Sequence, residues 1–210
     1  MRQFLLCVML FVAFLSNSEN AAARPVVSDF DQRCVADIND LRAAELGASD
    51  AQYKVGKQLL GTDCNANTDG GVAWLLRSAE QGHVDAIMLL ATLYEGYEII
   101  SADEALAIHY YRVAAHMDIV EAQNRLGVLL VSQKTPNALN EGLLWLGAAA
   151  AQGDGVAAAF LGVMHANGFH GLEQDGCLAL DWFEVGRMMQ APVPIAALEQ
   201  QVPEAVKQGC

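Results

Sequence analysis

The residues best equipped for chemistry are histidines and cysteines, and their densest gathering is His165, His170, Asp175 and Cys177. Imidazole, carboxylate and thiolate groups are what a zinc ion draws into a tetrahedron. The simpler reading accounts for each separately. His165 stands where the surrounding pattern usually carries a tyrosine, His170 lies in a loop, and Cys177 is expected in a disulfide. The expectation is therefore no metal and no cofactor. His109, Tyr110 and Tyr111 form an aromatic patch, but it coincides with a packing position of the pattern described below. Ser28, Ser49, Ser78, Ser101 and Ser132 are the serines after residue 23, and none stands in a G-x-S-x-G turn, so a hydrolytic nucleophile has no visible setting. The carboxylates form no pair set apart from ordinary solvated helix faces, and no glycine-rich loop could cradle phosphate. The chain reads as a non-enzyme.

Residues 1–23 open with Met1, Arg2 and Gln3, continue through the uncharged stretch from Phe4 to Leu15, and end in Ala21, Ala22 and Ala23. One positive charge, a short apolar core and a small-residue exit make a secretory signal peptide. The core is shorter than the roughly 20 apolar residues of a membrane span, so no stable membrane insertion is expected after cleavage. Cleavage is expected after Ala23, with Ser18 as the alternative, which places the mature chain in the periplasm or outside the cell. Cys7 leaves with the leader. Cys34, Cys64, Cys177 and Cys210 remain, an even number that suits disulfides in an exported protein and admits three pairings. Their positions make an early and a late pair, so Cys34 with Cys64 and Cys177 with Cys210 are the expected bridges. The formal charge of −13 argues against nucleic acid and anionic membranes, both of which select Lys/Arg patches.

A repeat positions these residues. The segments 78–86, 114–122 and 149–157 superimpose with Ala86, Ala122 and Ala157 in register, and one further step back reaches Ala51; the steps are 35, 36 and 35 residues. Four and five places after each alanine come an aliphatic and a small residue: Val55-Gly56, Leu90-Ala91, Leu126-Gly127 and Leu161-Gly162. An aromatic follows in each unit: Trp74, Tyr110, Trp145 and Trp182. Small residues at helical spacing let two helix backbones approach while the leucine and aromatic fill the flanks. The pattern predicts helix pairs at 51–60 with 69–81, 84–95 with 102–117, 119–131 with 137–152, and 154–167 with 175–190. Asp50, Ser101 and Asp118 or Asp154 are the expected N-caps, and Gly82 and Gly153 suit helix ends. A capping helix at 28–46 would face inward with Phe30, Val35, Ile38 and Leu41. A closing helix at 195–208 would bury Leu198, Val202 and Val206.

The units, read as A-x-x-x-L-G-x-x-Y, a loop, and an aromatic-bearing helix closing on A-A-x-x-G, resemble the Sel-one-like repeat (SLR) family, a relative of the tetratricopeptide repeat. The segments from Ala86 to Glu98, Ala105 to Asp118 and Gly70 to Gly82 fit that unit best. The third unit departs at 131–136, where the loop glycine is missing, and the fourth has a longer loop at 167–174. The resemblance implies an all-α, right-handed α-solenoid: signal peptide 1–23, N-terminal cap 24–50, four repeats over 51–190 and C-terminal cap 191–210.

It also implies that the first helix of each pair lines a concave face that meets a protein. On this register the face carries Tyr53 and Lys57, then Asp85, Met88, Thr92 and Glu95, then Glu121, Asn124 and Val128, with Ala159 and Val163 in the fourth unit. An acidic and apolar groove of this kind suits a partner protein with Lys/Arg around an apolar residue. Members of the family serve as envelope regulators, host-interaction factors and immunity proteins. Two alternatives follow from the same resemblance. The order of Cys34, the Y-x-x-G helix, Cys64 and AEQG is similar to the periplasmic ring protein of sodium-driven flagellar motors. Cysteine-rich members are associated with lactam-binding or lactamase-like activity, but they carry cysteines in nearly every repeat, and this chain has none in its second and third units.

Overall fold

A computed structural model of the protein describes residues 37–61, 68–96 and 100–207. Eleven α-helices run through these residues in antiparallel succession, with one 3-10 turn at Phe169–Gly171 and no strand among them. A short helix, α1 (Ile38–Glu45), precedes the pairs α2 (Ser49–Leu59) with α3 (Thr68–Glu80), α4 (Val84–Gly96) with α5 (Glu104–Ala115), α6 (Val120–Ser132) with α7 (Pro136–Ala151), and α8 (Gly155–Asn167) with α9 (Gly176–Met188). The short helices α10 (Ile195–Gln201) and α11 (Glu204–Lys207) follow. From α1 to α10 each helix packs on its neighbour in sequence, and α11 packs on α9, so the described residues form an α-solenoid whose four pairs match the periodicity.

The register alanines explain that packing. Ala86, Ala122 and Ala157 are wholly buried, and Val55, Leu90 and Leu126 beside them have no exposed surface. A methyl-sized residue at the helix crossing lets the aliphatic side chain one turn further on reach the next helix. The turn before each alanine is equally regular. Gly47, Gly82, Asp118 and Gly153 stand four residues ahead of the four alanines and all have positive φ, between 61° and 97°. Three are glycine because the left-handed conformation carries no penalty there.

Helix starts follow local chemistry. Asp103 accepts from Leu106 N–H at 3.0 Å, Thr135 caps α7 ahead of Pro136, Asp154 accepts from Val156 and Ala157 N–H, and Asp175 accepts from Leu178 N–H at 2.9 Å. Asp154 is thus the expected cap. Asp103 rather than Ser101 caps α5, because the chain turns helical two residues later than expected. Asp118 forms the left-handed turn instead of a cap. Asp50 lies inside the first turn of α2, behind the cap position of Ala48, and its carboxylate meets His83 Nε2 at 3.0 Å.

The ends depart from expectation. Ile38 is 70% exposed, and Ala44 is the buried residue of α1; Phe30 and Val35 lie outside the described residues. The closing helix breaks at Val202, where Pro203 forces an extended conformation on the residue before it. Ile195 and Val202 are buried there and Leu198 is half-buried; the Val206 side chain lies outside the description. The leader, Cys34, Cys64 and Cys210 also lie outside the described residues, and with them the expected pairings. Cys177 sits in the first turn of α9. No described helix is long and apolar enough to cross a membrane.

Candidate functional site

A groove of about 660 Å³ lies between the first helices of the third and fourth repeats. Val120, Val128, Val156 and Phe160 supply its apolar lining, and Glu121, Asn124, Arg125 and Asp154 its polar part. Glu121 and Val156 are exposed because they stand one residue before the buried Ala122 and Ala157, on the face that turns away from the second helices. Asp154 is fixed: one oxygen accepts two N–H groups at the start of α8, and the other accepts from Asn124 Nδ2. Arg125 reaches back to Glu95 at 3.5 Å. Glu121 has no ion pair among the described residues, so it is the carboxylate free to meet a ligand.

The predicted face divides on the structure. Glu121, Asn124 and Val128 converge in this groove. Lys57 and Asp85 are exposed on α2 and α4, at neighbouring stations along the first helices. Tyr53 is half-buried, stacked on His83 with ring centroids 4.9 Å apart, with Lys57 Nζ 5.7 Å from its ring centre. Met88 packs against the second-repeat core, and Thr92 Oγ1 donates to the Leu89 carbonyl within its own helix. Glu95 faces inward as much as outward, accepting from the buried Tyr111 hydroxyl at 2.6 Å. Ala159 is not on the surface. It is 3% exposed because α9 and Ile195 of the closing segment cover it, and Val163 is packed in the same cluster.

Val156 and Phe160 are groove residues that the sequence reading did not name, and Asp154 was expected as a helix cap but not on this face. Val156 holds the same register position as Asp85 and Glu121, so continuing that register by one repeat would have found it. Phe160 had no such signal, since its equivalents are Lys54, Leu89 and Arg125.

The histidine-rich fourth loop makes no ligand set: among the described residues no three metal-capable side chains come together. Asp175 is an N-cap, its N–H donates to the His165 carbonyl at 3.0 Å, and His170 is exposed in the 3-10 turn. Burial pushes the His165 imidazole below its usual range, with Asp175 opposing in part. The folded state therefore favours neutral His165. Its contribution is intact above about pH 6.5, the value for an unfolded histidine, and is lost as pH falls through the lower folded value. Thermal unfolding at neutral pH and near pH 5 should show a smaller acid loss for His165→Gln than for the native chain.

A family model for the Sel1 repeat matches residues 49–83, 84–118, 120–154 and 155–185. The chain belongs to the Sel1 repeat family. The four matched units begin at the same 35-, 36- and 35-residue steps as the buried alanines. Among solved structures, a protective antigen present in uropathogenic Escherichia coli strains, displaying an SLR fold, is 26% identical over 73% of this chain and 33% of its own, with a TM-score of 0.59. A Sel1 repeat protein from Oxalobacter formigenes is 27% identical over 71% of this chain and 62% of its own, with a TM-score of 0.58. This chain thus spans about a third of the first relative and less than two thirds of the second. An immunity protein from Pseudomonas aeruginosa is matched at 18% identity over 76% of this chain and 78% of its own, with a TM-score of 0.35. No curated protein matches this sequence. Sel1 repeats form a scaffold suited to protein–protein interaction, typically without catalysis.

Proposed function

We propose that this Sel1 repeat chain is an exported scaffold or adaptor that holds another protein along its first-helix face. The observation that carries the reading is the groove at the third and fourth repeats, where an apolar lining of Val120, Val128, Val156 and Phe160 adjoins the exposed carboxylate of Glu121. A polypeptide segment fits that chemistry when an apolar side chain fills the lining and a Lys or Arg beside it faces Glu121. The net charge of −13 favours a basic partner through long-range steering. The leader at 1–23 supports a periplasmic or secreted location, and end-stapling disulfides at Cys34–Cys64 and Cys177–Cys210 suit that compartment. This arrangement would serve an envelope regulator or an inhibitor of a basic toxin.

Affinity capture from envelope and culture-supernatant extracts, followed by titration of the captured protein, tests the reading. Phe160→Asp and Glu121→Lys should each weaken binding, Phe160→Asp by at least about thirtyfold as for a central interface residue. Leu144→Ser, at a residue 75% exposed on the second helix of the same repeat, should leave it unchanged. Binding indifferent to Phe160 and Glu121, or hydrolysis of an envelope substrate by the pure chain, would overturn the scaffold reading.

A further inference from the structure

The aromatic residues of the first three repeats have different companions. Trp74 lies under the Arg77 guanidinium, 4.7 Å from the ring centre. Trp145 receives the edge of His116 from the end of the preceding repeat, with centroids 5.1 Å apart. Tyr110 has Tyr94 stacked on it at 5.9 Å and His109 edge-on at 5.1 Å. The residue aligned with His116 one repeat earlier is Glu80, which is exposed and forms no ion pair among the described residues. Where the third repeat sets an imidazole against its ring, the second has a cleft of about 190 Å³. Leu76, Ala79, Ile87 and Val113 give it apolar walls, and Glu80, His109 and Tyr110 its polar part.

We propose that this cleft receives the arginine side chain of a polypeptide partner, its methylene stem against the apolar walls and its guanidinium between the Tyr110 ring and the Glu80 carboxylate. The chemistry is that of the neighbouring repeats, where a guanidinium or an imidazole already meets the corresponding ring. Arginine suits it better than lysine, since a planar guanidinium stacks on a ring and bonds a carboxylate in one pose, and the stem tolerates apolar surroundings. A polypeptide suits it better than a small amine. The space holds about one side chain, so a ligand must draw most of its affinity from contacts around the cleft, as an interface arginine does. Burial, Tyr94 and Glu80 together raise the Tyr110 pKa, which keeps the phenol neutral at physiological pH, and Glu80 is the carboxylate of the cleft. This surface belongs chiefly to the second helices α3 and α5 and is separate from the groove between α6 and α8.

The test is a methyl-NMR titration of the full chain with N-acetyl-arginine methylamide and, in parallel, with its uncharged citrulline analogue. The arginine probe should shift the Ile87 and Val113 methyl signals saturably, and the citrulline probe should not. Glu80→Gln should weaken the arginine response by about fivefold, the size of one partly exposed charge pair. Glu80→His should set an imidazole against the Tyr110 ring as His116 does at Trp145, abolishing the response while the thermal midpoint holds or rises. No saturable shift, equal shifts with both probes, or a response unchanged in Glu80→Gln and Glu80→His would each overturn the proposal.

Discussion

Gly127→Ala should destabilise the protein by about 3 kcal/mol, at the upper end of what overpacking a tight core contact costs. A Cβ at residue 127 would stand 2.6 Å from Leu146 Cγ and 2.9 Å from the Gly142 carbonyl oxygen. The leucine could rotate away, but the carbonyl belongs to α7 and cannot move unless the two helices separate. Gly142 faces the same restriction, with the Gly127 carbonyl oxygen 2.8 Å from its would-be Cβ, so Gly142→Ala should cost a similar amount. Gly147 is the internal control. It lies in α7 like Gly142, yet nothing stands within 4 Å of its would-be Cβ. Gly147→Ala should therefore stabilise by about 0.5–1 kcal/mol through the helical preference of alanine. Denaturant melts of the three variants check both signs at once, and equal behaviour of Gly127→Ala and Gly147→Ala would remove close helix approach as the reason for glycine in the third repeat.

The same contact shows what the sequence could and could not disclose. The alanine register and the aliphatic-small pair recur every 35 or 36 residues, and they place all four helix pairs because the period is carried by buried residues that tolerate little change. The grouping of repeats was not legible. The first and third share Gly56 with Gly71 and Gly127 with Gly142, whereas the second has Ala91 with Ala107 at those places. The first and third also share a buried glutamine. Gln52 donates to the Ala44 carbonyl and accepts from Gln81, and Gln123 donates to the Ala115 carbonyl and accepts from Gln152. Ile87 and Ala158 occupy that position in the second and fourth repeats. Each glutamine joins the end of the preceding helix to the end of its own repeat, through bonds between residues 8 and 29 apart that no local pattern announces. The groove was legible where the register continued, at Glu121, Asn124 and Val128. It was obscured at Ala159, since the register assumes a further repeat's geometry and the closing segment covers that position instead. The break at Pro203 was available from the sequence alone, because a proline both lacks the donor and restricts its predecessor.

Glu95 shows why a residue on the correct helical face can still be structural, and Tyr111→Phe is the variant that exposes it. The Tyr111 ring is wholly buried, and its hydroxyl donates to Glu95 Oε2 at 2.6 Å while Arg125 of the next repeat reaches Glu95 Oε1 at 3.5 Å. The chain Tyr111–Glu95–Arg125 therefore ties both helices of the second repeat to the first helix of the third. Removing the hydroxyl keeps the ring's packing and deletes a hydrogen bond to a charged acceptor, which should cost about 2 kcal/mol. Glu95→Gln retains an acceptor and should cost less. In the double variant the losses should fall short of their sum, because both act on the same bond. Burial, followed by the hydrogen bond and charge of Glu95, raises the Tyr111 pKa far above that of an ordinary tyrosine. Below about pH 10 the phenol is protonated whether the chain is folded or not, and the bond's contribution is complete. Above that the unfolded chain releases its proton first, so stability falls as pH climbs toward the raised folded value. Native protein should accordingly lose stability above about pH 10 more steeply than Tyr111→Phe. Parallel alkaline slopes, or strictly additive losses for Tyr111→Phe and Glu95→Gln, would return Glu95 to the surface as a residue available to a partner.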